Sequence, residues 1–400
     1  MKHNISTLPD KCCGCSACKI VCPKNAISIS INNDGFYSAN VDEDNCVNCG
    51  LCCEVCLRNE ANAATVLTDG KVVAAQTKDK EVLKQCSSGG IAAEFSSYAL
   101  NHNYRVAGCI YDYESEKARI IVTDKFEDTL LMRGSKYLQS DCSNAYAEIV
   151  RDAKLNKEQK FLVFGTPCQI YGLCSVIEKY KIRDQFVLVD LFCHGVPSYL
   201  VWKKYLASLQ KVIGKGQIHK VAFRDKRIGW HNFVMSIEGA NGKYQENSEG
   251  DLFFKAFFDN VFFSKACYDC PVRRKNSKAD IRLGDFWGKR YQDNEDGISA
   301  VLVLSQKGEE FLGSIQNLQI FGDAPVEEVL SGQSVHKYSE EELSSMAFKY
   351  LKNGDSLKSN INSYRKYFNL RRRVKLFVKE STSYLPDGVR AGIRRIYKKI

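Results

Sequence analysis

Proline is scarce in this sequence, with seven residues in 400, and glycine is only average at 27. Hydrophobic residues at 44% and charged residues at 26% exclude a disordered chain, a collagen and a low-complexity protein. Long apolar runs are missing. The greasiest stretch, Leu252 to Phe263, is broken by Lys255, Asp259 and Asn260, so no transmembrane helix is expected. The first residues, MKHNISTLPDK, lack the apolar core of a secretory signal. There is no G-x-G-x-x-G fingerprint and no P-loop. Neither a Ser-His-Asp set nor a carboxylate pair stands out, so no covalent nucleophile is expected. The length implies two or three domains.

Cysteine is abundant, at 18 residues. Cys12, Cys13, Cys15, Cys18 and Cys22 form one knot, and Cys46, Cys49, Cys52, Cys53 and Cys56 form another. The rest are scattered beyond residue 56. A secreted disulfide scaffold is usually small, with cysteines spread evenly. A large chain with knotted cysteines and no signal reads instead as metal-bound thiolates in a reducing cytoplasm.

The formal charge is +10, and residues 371–400 hold ten Lys or Arg against Glu380 and Asp387. The remainder is close to neutral, whereas a nucleic-acid enzyme usually carries a basic cleft within its fold. In the tail, Val389, Ile393, Ile396 and Ile400 recur at helical spacing. Arg390, Arg394, Arg395, Lys398 and Lys399 take the other faces, and Pro386-Asp387 suits a helix start. Three roles compete: a terminal helix packed on its own domain, a peripheral membrane contact, and a docking arm for an acidic protein or nucleic acid. Packing is favoured, because Phe377, Val378, Val389 and Ile393 offer more apolar contact than an electrostatic arm needs.

The chain reads as an α+β multidomain protein. Residues 1–60 form a unit with a rough repeat of about 34 residues, too small for a side-chain core and so centred on something else. Residues 61–85 read as a linker with a hairpin near Thr68-Asp69-Gly70-Lys71. Residues 86–335 read as an α/β body with strands at 106–111, 120–123, 160–165, 185–192, 281–288 and 298–304. Residues 336–400 read as a helical, basic extension.

Cys12, Cys15, Cys18 and Cys22 follow C-x2-C-x2-C-x3-C with Pro23 next, and Cys46, Cys49, Cys52 and Cys56 repeat the spacing. This is the bacterial two-cluster ferredoxin run, in which the fourth thiolate of each run reaches the other cluster. The expected sets are Cys12, Cys15, Cys18 and Cys56 for one [4Fe-4S] cluster, and Cys46, Cys49, Cys52 and Cys22 for the second. Structural zinc uses two C-x2-C pairs and four ligands in all. Cys13 and Cys53 read as small thiols packed beside the clusters. Such clusters carry single electrons, so the chemistry belongs elsewhere in the chain.

Cys267-Tyr268-Asp269-Cys270-Pro271 fits a redox dithiol, a zinc half-site or half a cluster site. Cys168 and Cys193 each follow a predicted buried strand. Neighbouring strand ends would bring the four thiols together as a third [4Fe-4S] site; the alternative is unconnected buried cysteines. His194 is a rival ligand, a donor behind the ligands, or a core histidine.

The sequence resembles the coenzyme F420 hydrogenase/dehydrogenase beta-subunit group, a family that includes 7-hydroxymethyl chlorophyll a reductase. The matching stretches are Cys86-Ser87-Ser88-Gly89-Gly90, Met132 to Tyr137, Phe164 to Gln169, Asp190 to Gly195, Cys267 to Pro271, and Ala279-Asp280 through Gly284 to Gly288. The resemblance implies FAD in the body and a [4Fe-4S] cluster beside it on Cys168, Cys193, Cys267 and Cys270. A flavin also joins hydride chemistry to one-electron clusters. Ser87, Ser88, Gly89 and Gly90 at a helix start suit a phosphate cradle, or simply a helix cap. Lys136 is expected to neutralise the pyrophosphate or negative charge near flavin N1, or else to make a surface salt bridge. Thr166, Gln169 and His194 are candidates for the flavin ring edge, with Lys136 and His194 the catalytic candidates. Arg224 lies in a basic, aromatic segment suited to covering the flavin or binding an anionic substrate.

The expected function is therefore an iron–sulfur flavoprotein oxidoreductase working between F420 or NAD(P)H and ferredoxin, in either direction. A partner redox subunit is compatible with this. The alternatives are a non-enzymatic electron-relay subunit and, less favoured, a cluster-bearing nucleic-acid-binding protein.

Overall fold

The computed structural model describes residues 3–59, 71–216, 218–273, 276–333 and 341–381. The hairpin expected near residues 68–71 falls largely outside them, as do the tail residues Val389, Ile393, Ile396 and Ile400. Contacts divide the chain into two units. The first comprises residues 1–199, 223–231 and 263–336, and the second 200–222, 232–262 and 337–400. The first unit holds the cysteine-rich N-terminal segment and a larger α/β body; the last of the described residues, 341–381, include helices rich in basic residues.

The N-terminal segment has two short antiparallel strands, β1 (Ile27–Ile31) and β2 (Tyr37–Val41). Short helices follow the inner cysteines of each run, at Ala17–Val21 and Leu51–Glu54. Very few aliphatic side chains lie between these pieces. The small core cluster there is made mainly of Ile5, Ile27 and cysteines, as expected of a segment too short to bury an ordinary core.

The body is built on an eight-stranded sheet. Its strands are β3 (Lys71–Thr77), β4 (Tyr104–Asp112), β5 (Lys117–Thr123), β6 (Lys160–Gly165), β7 (Phe186–Leu191), β11 (Ile281–Asp285), β12 (Ser299–Val303) and β13 (Leu318–Ala324). The order is β13-β3-β12-β11-β7-β6-β4-β5. β4, β6, β7 and β11 are parallel neighbours in register. β12 runs antiparallel to both β11 and β3, so β3 points the same way as the parallel set. The apolar runs Phe161-Leu162-Val163 and Phe186 to Val189 are buried on both faces, as central parallel strands require.

β3 lies within the stretch expected to be a linker. Val72 to Thr77 are all buried, and the strand pairs on both edges. Its Val-Val-Ala-Ala-Gln-Thr run has no alternation to mark it, because neither face meets water.

The second unit contains an antiparallel sheet of β8 (Ile218–Ala222), β9 (Val234–Gly239) and β10 (Gly242–Asn247). The aromatic helix Leu252–Phe258 starts at Asp251, whose carboxylate caps the Phe254 N–H at 2.8 Å. The C-terminal helices are Glu341–Lys352, Leu357–Arg365 and Leu370–Ser381. Asp259 accepts from Tyr364 Oη at 2.8 Å and from Arg365 Nε at 2.6 Å, which ties these helices to the unit. The last helix buries none of its residues, and Phe377, expected to pack, is 71% exposed. Among the described residues no helix is long and apolar enough to cross a membrane.

Candidate cluster and cofactor sites

The two cysteine runs fold back on each other. One small cavity is lined by Cys12, Cys15 and Cys18 from the first run and Cys56 from the second. Another is lined by Cys46, Cys49 and Cys52 with Cys22. The crossing of the fourth cysteines is that expected from the spacing. Left-handed turns wrap the thiols inward: Gly14 and Gly50 have φ of 68° and 78°, and Ser16 and Asn48 join them at positive φ. Donors point at the sulfurs, with Asn4 Nδ2 at 3.4 Å from Cys46 Sγ and the Ala26 N–H at 3.3 Å from Cys22 Sγ. Hydrogen bonds to the sulfurs are among the features that tune an iron–sulfur centre. Among the described residues no three His, Cys, Asp or Glu side chains gather tightly enough for a single metal ion. A cubane makes a different demand, since it spreads four thiolates over four irons.

The parallel strands end at one edge of the sheet, where α/β folds place ligands. Cys168 comes just after β6 and Cys193 just after β7, its neighbour in the sheet. Cys267 and Cys270 arrive from a distant part of the chain. All four line one cavity of about 320 Å³. The segment after Cys270 is held by a buried ion pair. Arg282 on β11 contacts Asp190 on β7 at 2.6 Å and donates to the carbonyls of Val272 (3.3 Å) and Asn276 (3.0 Å). Arg273 donates to the Cys267 carbonyl. Burial, followed by the neighbouring Cys168 and Cys270, pushes the Cys193 thiol up to about 12.

Cys13 is not a bystander. It lines both the Cys12–Cys56 cavity and the larger one. Its S–H donates to Cys15 and Cys168, which raises its own pKa well above an ordinary thiol. The same donation is the main reason Cys15 is lowered and Cys168 is held at about 7. Cys13 therefore keeps its proton between two thiols that readily give theirs up. Nothing in its position next to Cys12 marks this in the sequence.

The N-terminal segment is fastened to the body by backbone bonds. Gln139 accepts from the Tyr37 N–H at 2.7 Å and donates to the carbonyls of Cys13 (3.1 Å) and Tyr37 (3.2 Å). Gly172, on the helix Pro167–Lys179, lets that helix approach the first run. A Cβ there would meet Cys15 Sγ at 2.7 Å and the Ala17 Cβ at 3.2 Å.

The residues expected to contact a flavin divide into groups. Thr166 and Gln169 line the large cavity. Thr166 caps its helix in a capping box with Gln169 and lies 3.3 Å from Cys168 Sγ. The Gln169 amide oxygen accepts from Thr166 N–H and hydroxyl at 3.1 Å each. Its NH2 donates to the Ser140 carbonyl and hydroxyl at 3.0 Å each. Gln169 thus spends its amide inside the protein and fixes Thr166 and Cys168. His194 sits between Cys193 and Gly195 with its ring edge-on to Phe263, centroids 5.5 Å apart.

Ser87, Ser88, Gly89 and Gly90 lie against the end of β3, at the start of the helix Ile91–Asn101. Gly90 has φ 78°, and no side chain caps the first-turn N–H groups. A Cβ on Gly89 would meet the Ala75 carbonyl oxygen at 2.5 Å, so only glycine lets the turn back onto the strand. Ser87 Oγ accepts from the Ser135 N–H at 2.8 Å, joining this turn to the Arg133-Gly134-Ser135-Lys136 segment. Lys136 is half-buried, and its ammonium donates to the carbonyls of Leu131 (2.8 Å) and Arg133 (3.0 Å). Burial pushes its pKa down to about 8. It makes no salt bridge among the described residues. Lys226 donates to the Ser88 carbonyl at 2.8 Å, and burial holds it at about 8 as well. Its neighbour Arg224 pairs with Asp285 at 2.7 Å and donates to the Trp230 carbonyl, which anchors the basic aromatic segment. The cation nearest the Ser87–Gly90 turn in that segment is therefore Lys226, which the sequence did not single out from its neighbours. The uncapped helix start, the glycine turn and two partly desolvated lysines suit a diphosphate.

Comparison with known proteins gives concordant matches. Residues 158–327 match the family described as the C terminus of the Coenzyme F420 hydrogenase/dehydrogenase beta subunit. Residues 11–59 match the 4Fe-4S dicluster domain. A subunit of the F(420)H(2) dehydrogenase of Methanosarcina mazei is 23% identical, over 77% of this chain and 83% of that protein. The beta subunit of the coenzyme F420 hydrogenase of Methanosarcina barkeri is 26% identical, over 65% and 83%. The coenzyme F420-dependent sulfite reductase of Methanocaldococcus jannaschii is 24% identical, but the match spans only 46% of its length. A chain of the F420-reducing [NiFe] hydrogenase complex of Methanosarcina barkeri aligns with a TM-score of 0.46 and 20% identity, over 77% of this chain and 95% of that one. The chain is thus similar, over residues 158–327, to the F420 hydrogenase/dehydrogenase beta-subunit family, and over residues 11–59 to 4Fe-4S dicluster domains.

Proposed function

We propose that this chain is an iron–sulfur flavoprotein oxidoreductase holding three [4Fe-4S] clusters and FAD, and that it moves electrons between a hydride-carrying cofactor and ferredoxin-type acceptors or donors. The observation that carries the reading is the single cavity lined by Cys168, Cys193, Cys267 and Cys270, next to the first N-terminal thiol set. Cys12, Cys15, Cys18 and Cys56 would hold one cluster, Cys22, Cys46, Cys49 and Cys52 the second, and the body quartet the third. Bound there, clusters carry single electrons, and a flavin exchanges one hydride for two of them.

The chain's own residues do the rest. Arg282 and Asp190 hold the Cys270 segment in place, and Gln169 fixes the start of the Cys168 helix. The Gly90–Ile91 helix start would offer its first-turn amides to a diphosphate, with Lys136 and Lys226 supplying positive charge, while the Gly89 N–H is already donated to Ser299 Oγ at 2.9 Å. Cys13 lies between the first N-terminal set and the body set, so the Cys46 set is the outer one. Cys49 in that outer set is exposed, which suits exchange with an external redox protein. The relatives' names support F420 as the hydride carrier.

The test is composition followed by reduction. Protein purified without oxygen should contain about twelve iron and twelve acid-labile sulfide, with extractable FAD. Replacing Cys267 and Cys270 together by serine should remove about four iron and leave about eight. A wild-type content of about eight removes the third cluster, and zinc without sulfide rejects the whole reading. Reduced F420 should bleach the flavin; bleaching by reduced ferredoxin alone would reject a direct hydride role. A second reading, an electron-relay subunit without its own turnover, draws on relatives that are named as subunits. Turnover of the isolated chain with an artificial one-electron acceptor separates the two.

A further inference from the structure

The helix Leu370–Ser381 presents its apolar side chains outward. Leu370, Val374 and Phe377 are 73%, 47% and 71% exposed, and Tyr367 in the preceding turn is 66% exposed. Their spacing puts them in one stripe along the helix. The face turned to its own unit carries half-buried Leu376 together with polar side chains. Arg372 donates to the Asp259 carbonyl at 2.8 Å and lies over the Phe368 ring. Lys379 reaches Glu249 at 3.5 Å, while Glu380 pairs with Arg365 at 2.6 Å and Lys255 at 3.3 Å. A helix packed for stability alone would bury the stripe and expose the charges. Arg371, Arg373 and Lys375 flank the stripe, and the helix carries five basic residues against Glu380 alone.

We propose that Leu370–Ser381 is an interfacial helix that docks the protein on an anionic lipid surface. Leu370, Val374 and Phe377 enter the boundary between headgroups and acyl chains, and Arg371, Arg373 and Lys375 meet the headgroup charge. Charge selects this occupant. A second copy would bring an equally basic helix against the first, and like charges facing across a two-fold contact repel. A lipid surface offers apolar depth and negative charge in the same layers. The sequence beyond residue 381 adds five more Lys or Arg against Asp387.

The experiment uses full-length protein and sedimentation with vesicles of phosphatidylserine in phosphatidylcholine, or of phosphatidylcholine alone. The expected result is binding to the anionic vesicles only, with release by high salt. The triple variant Leu370→Ser, Val374→Ser, Phe377→Ser should lose binding by about tenfold or more, with melting temperature and iron content unchanged. Arg371→Gln with Arg373→Gln and Lys375→Gln should weaken binding and reduce its salt dependence. The proposal is overturned if the full-length protein stays in the supernatant with anionic vesicles, or binds both vesicle types alike. It is also overturned if the triple serine variant sediments as the parent does, including the case where only deletion of residues 382–400 abolishes binding. Self-association of the parent that is lost in the triple variant, without vesicle binding, would assign the stripe to a second copy instead.

Discussion

Cys13 shows what one side chain adds to a cofactor site it does not ligate. It shares one neighbour, Cys15, with the N-terminal set and another, Cys168, with the body set. A Cys13→Ser variant should keep its full iron content and melting temperature. Its reduced clusters should show weaker magnetic interaction in EPR spectra, and reduction of the outer clusters from the flavin side should slow measurably. Loss of about four iron would instead make Cys13 a ligand. The spacing of the N-terminal ligands was readable because consecutive short turns fix it locally. Cys13 could not be read that way, since its meaning depends on Cys168, brought in by the sheet. Gln169 and Arg224 illustrate the same limit. Both were read as cofactor contacts, and the internal bonds they make, Gln169 to Ser140 and Arg224 to Asp285, depend on partners that the local sequence does not mark.

Lys136 carries a pH prediction. Its pKa in the folded protein is about 8, below the unfolded lysine value of 10.5. The folded state therefore binds fewer protons between those values, so the Lys136 contribution makes stability rise as pH goes from about 8 to about 10.5. Below about 8 the ammonium is charged and able to meet a diphosphate. FAD affinity, followed by fluorescence quenching, should fall as pH rises above about 8. Lys136→Met should bind more weakly at neutral pH and lose part of that pH dependence, the remainder staying with Lys226, which is also held at about 8. An unchanged profile would remove Lys136 from the flavin site.

Among the elements, the helix Pro167–Lys179 does two jobs. Its first turn carries Cys168, and Gly172 one turn later admits Cys15. Gly172→Ala would force a methyl group into the Cys15 sulfur at 2.7 Å, an overpacking cost of about 1–3 kcal/mol. The expected outcome is a lower melting temperature together with loss of iron from the N-terminal set, measured as iron per chain. The pairing of β7 with β11 carries the second prediction at this scale. Arg282→Met leaves Asp190 buried without its partner and should cost about 3–5 kcal/mol, read as a shift in denaturant midpoint. The strands themselves were largely legible, since buried apolar runs ending in glycine or polar residues mark central parallel strands. β3 was not, because a short fully buried run lacks the alternation that separates strand from linker. That four cysteines share a cavity was expected for all four: adjacent strand ends pointed to Cys168 and Cys193, while Cys267 and Cys270 rested on their C-x2-C spacing and the family resemblance.

For the whole molecule, order matters more than inventory. The outer thiol set, the inner set and the body quartet form a sequence of sites within one unit, with Cys13 between the last two. The outer set has Val47, 56% exposed, beside Cys46. Val47→Glu should leave iron content and reduction by small dyes unchanged while slowing electron exchange with a protein partner. Equal rates with both kinds of reagent would place the partner's docking surface elsewhere.

The Gln139 clamp bears on transplantation. Dicluster segments look like cassettes, and a chimera that exchanges residues 1–59 for another ferredoxin is simple to draw. Here one glutamine serves both the N–H and the carbonyl of Tyr37, acting as a surrogate strand partner, and it also takes the carbonyl of Cys13. A donor cassette must therefore offer a bare backbone edge at the position of Tyr37 and a small side chain where Ala17 meets Gly172. Ferredoxins that lack the first would leave Gln139 buried with unmet polar atoms, those that lack the second would clash with Gly172, and grafts should be chosen by those two positions before cluster potential is considered.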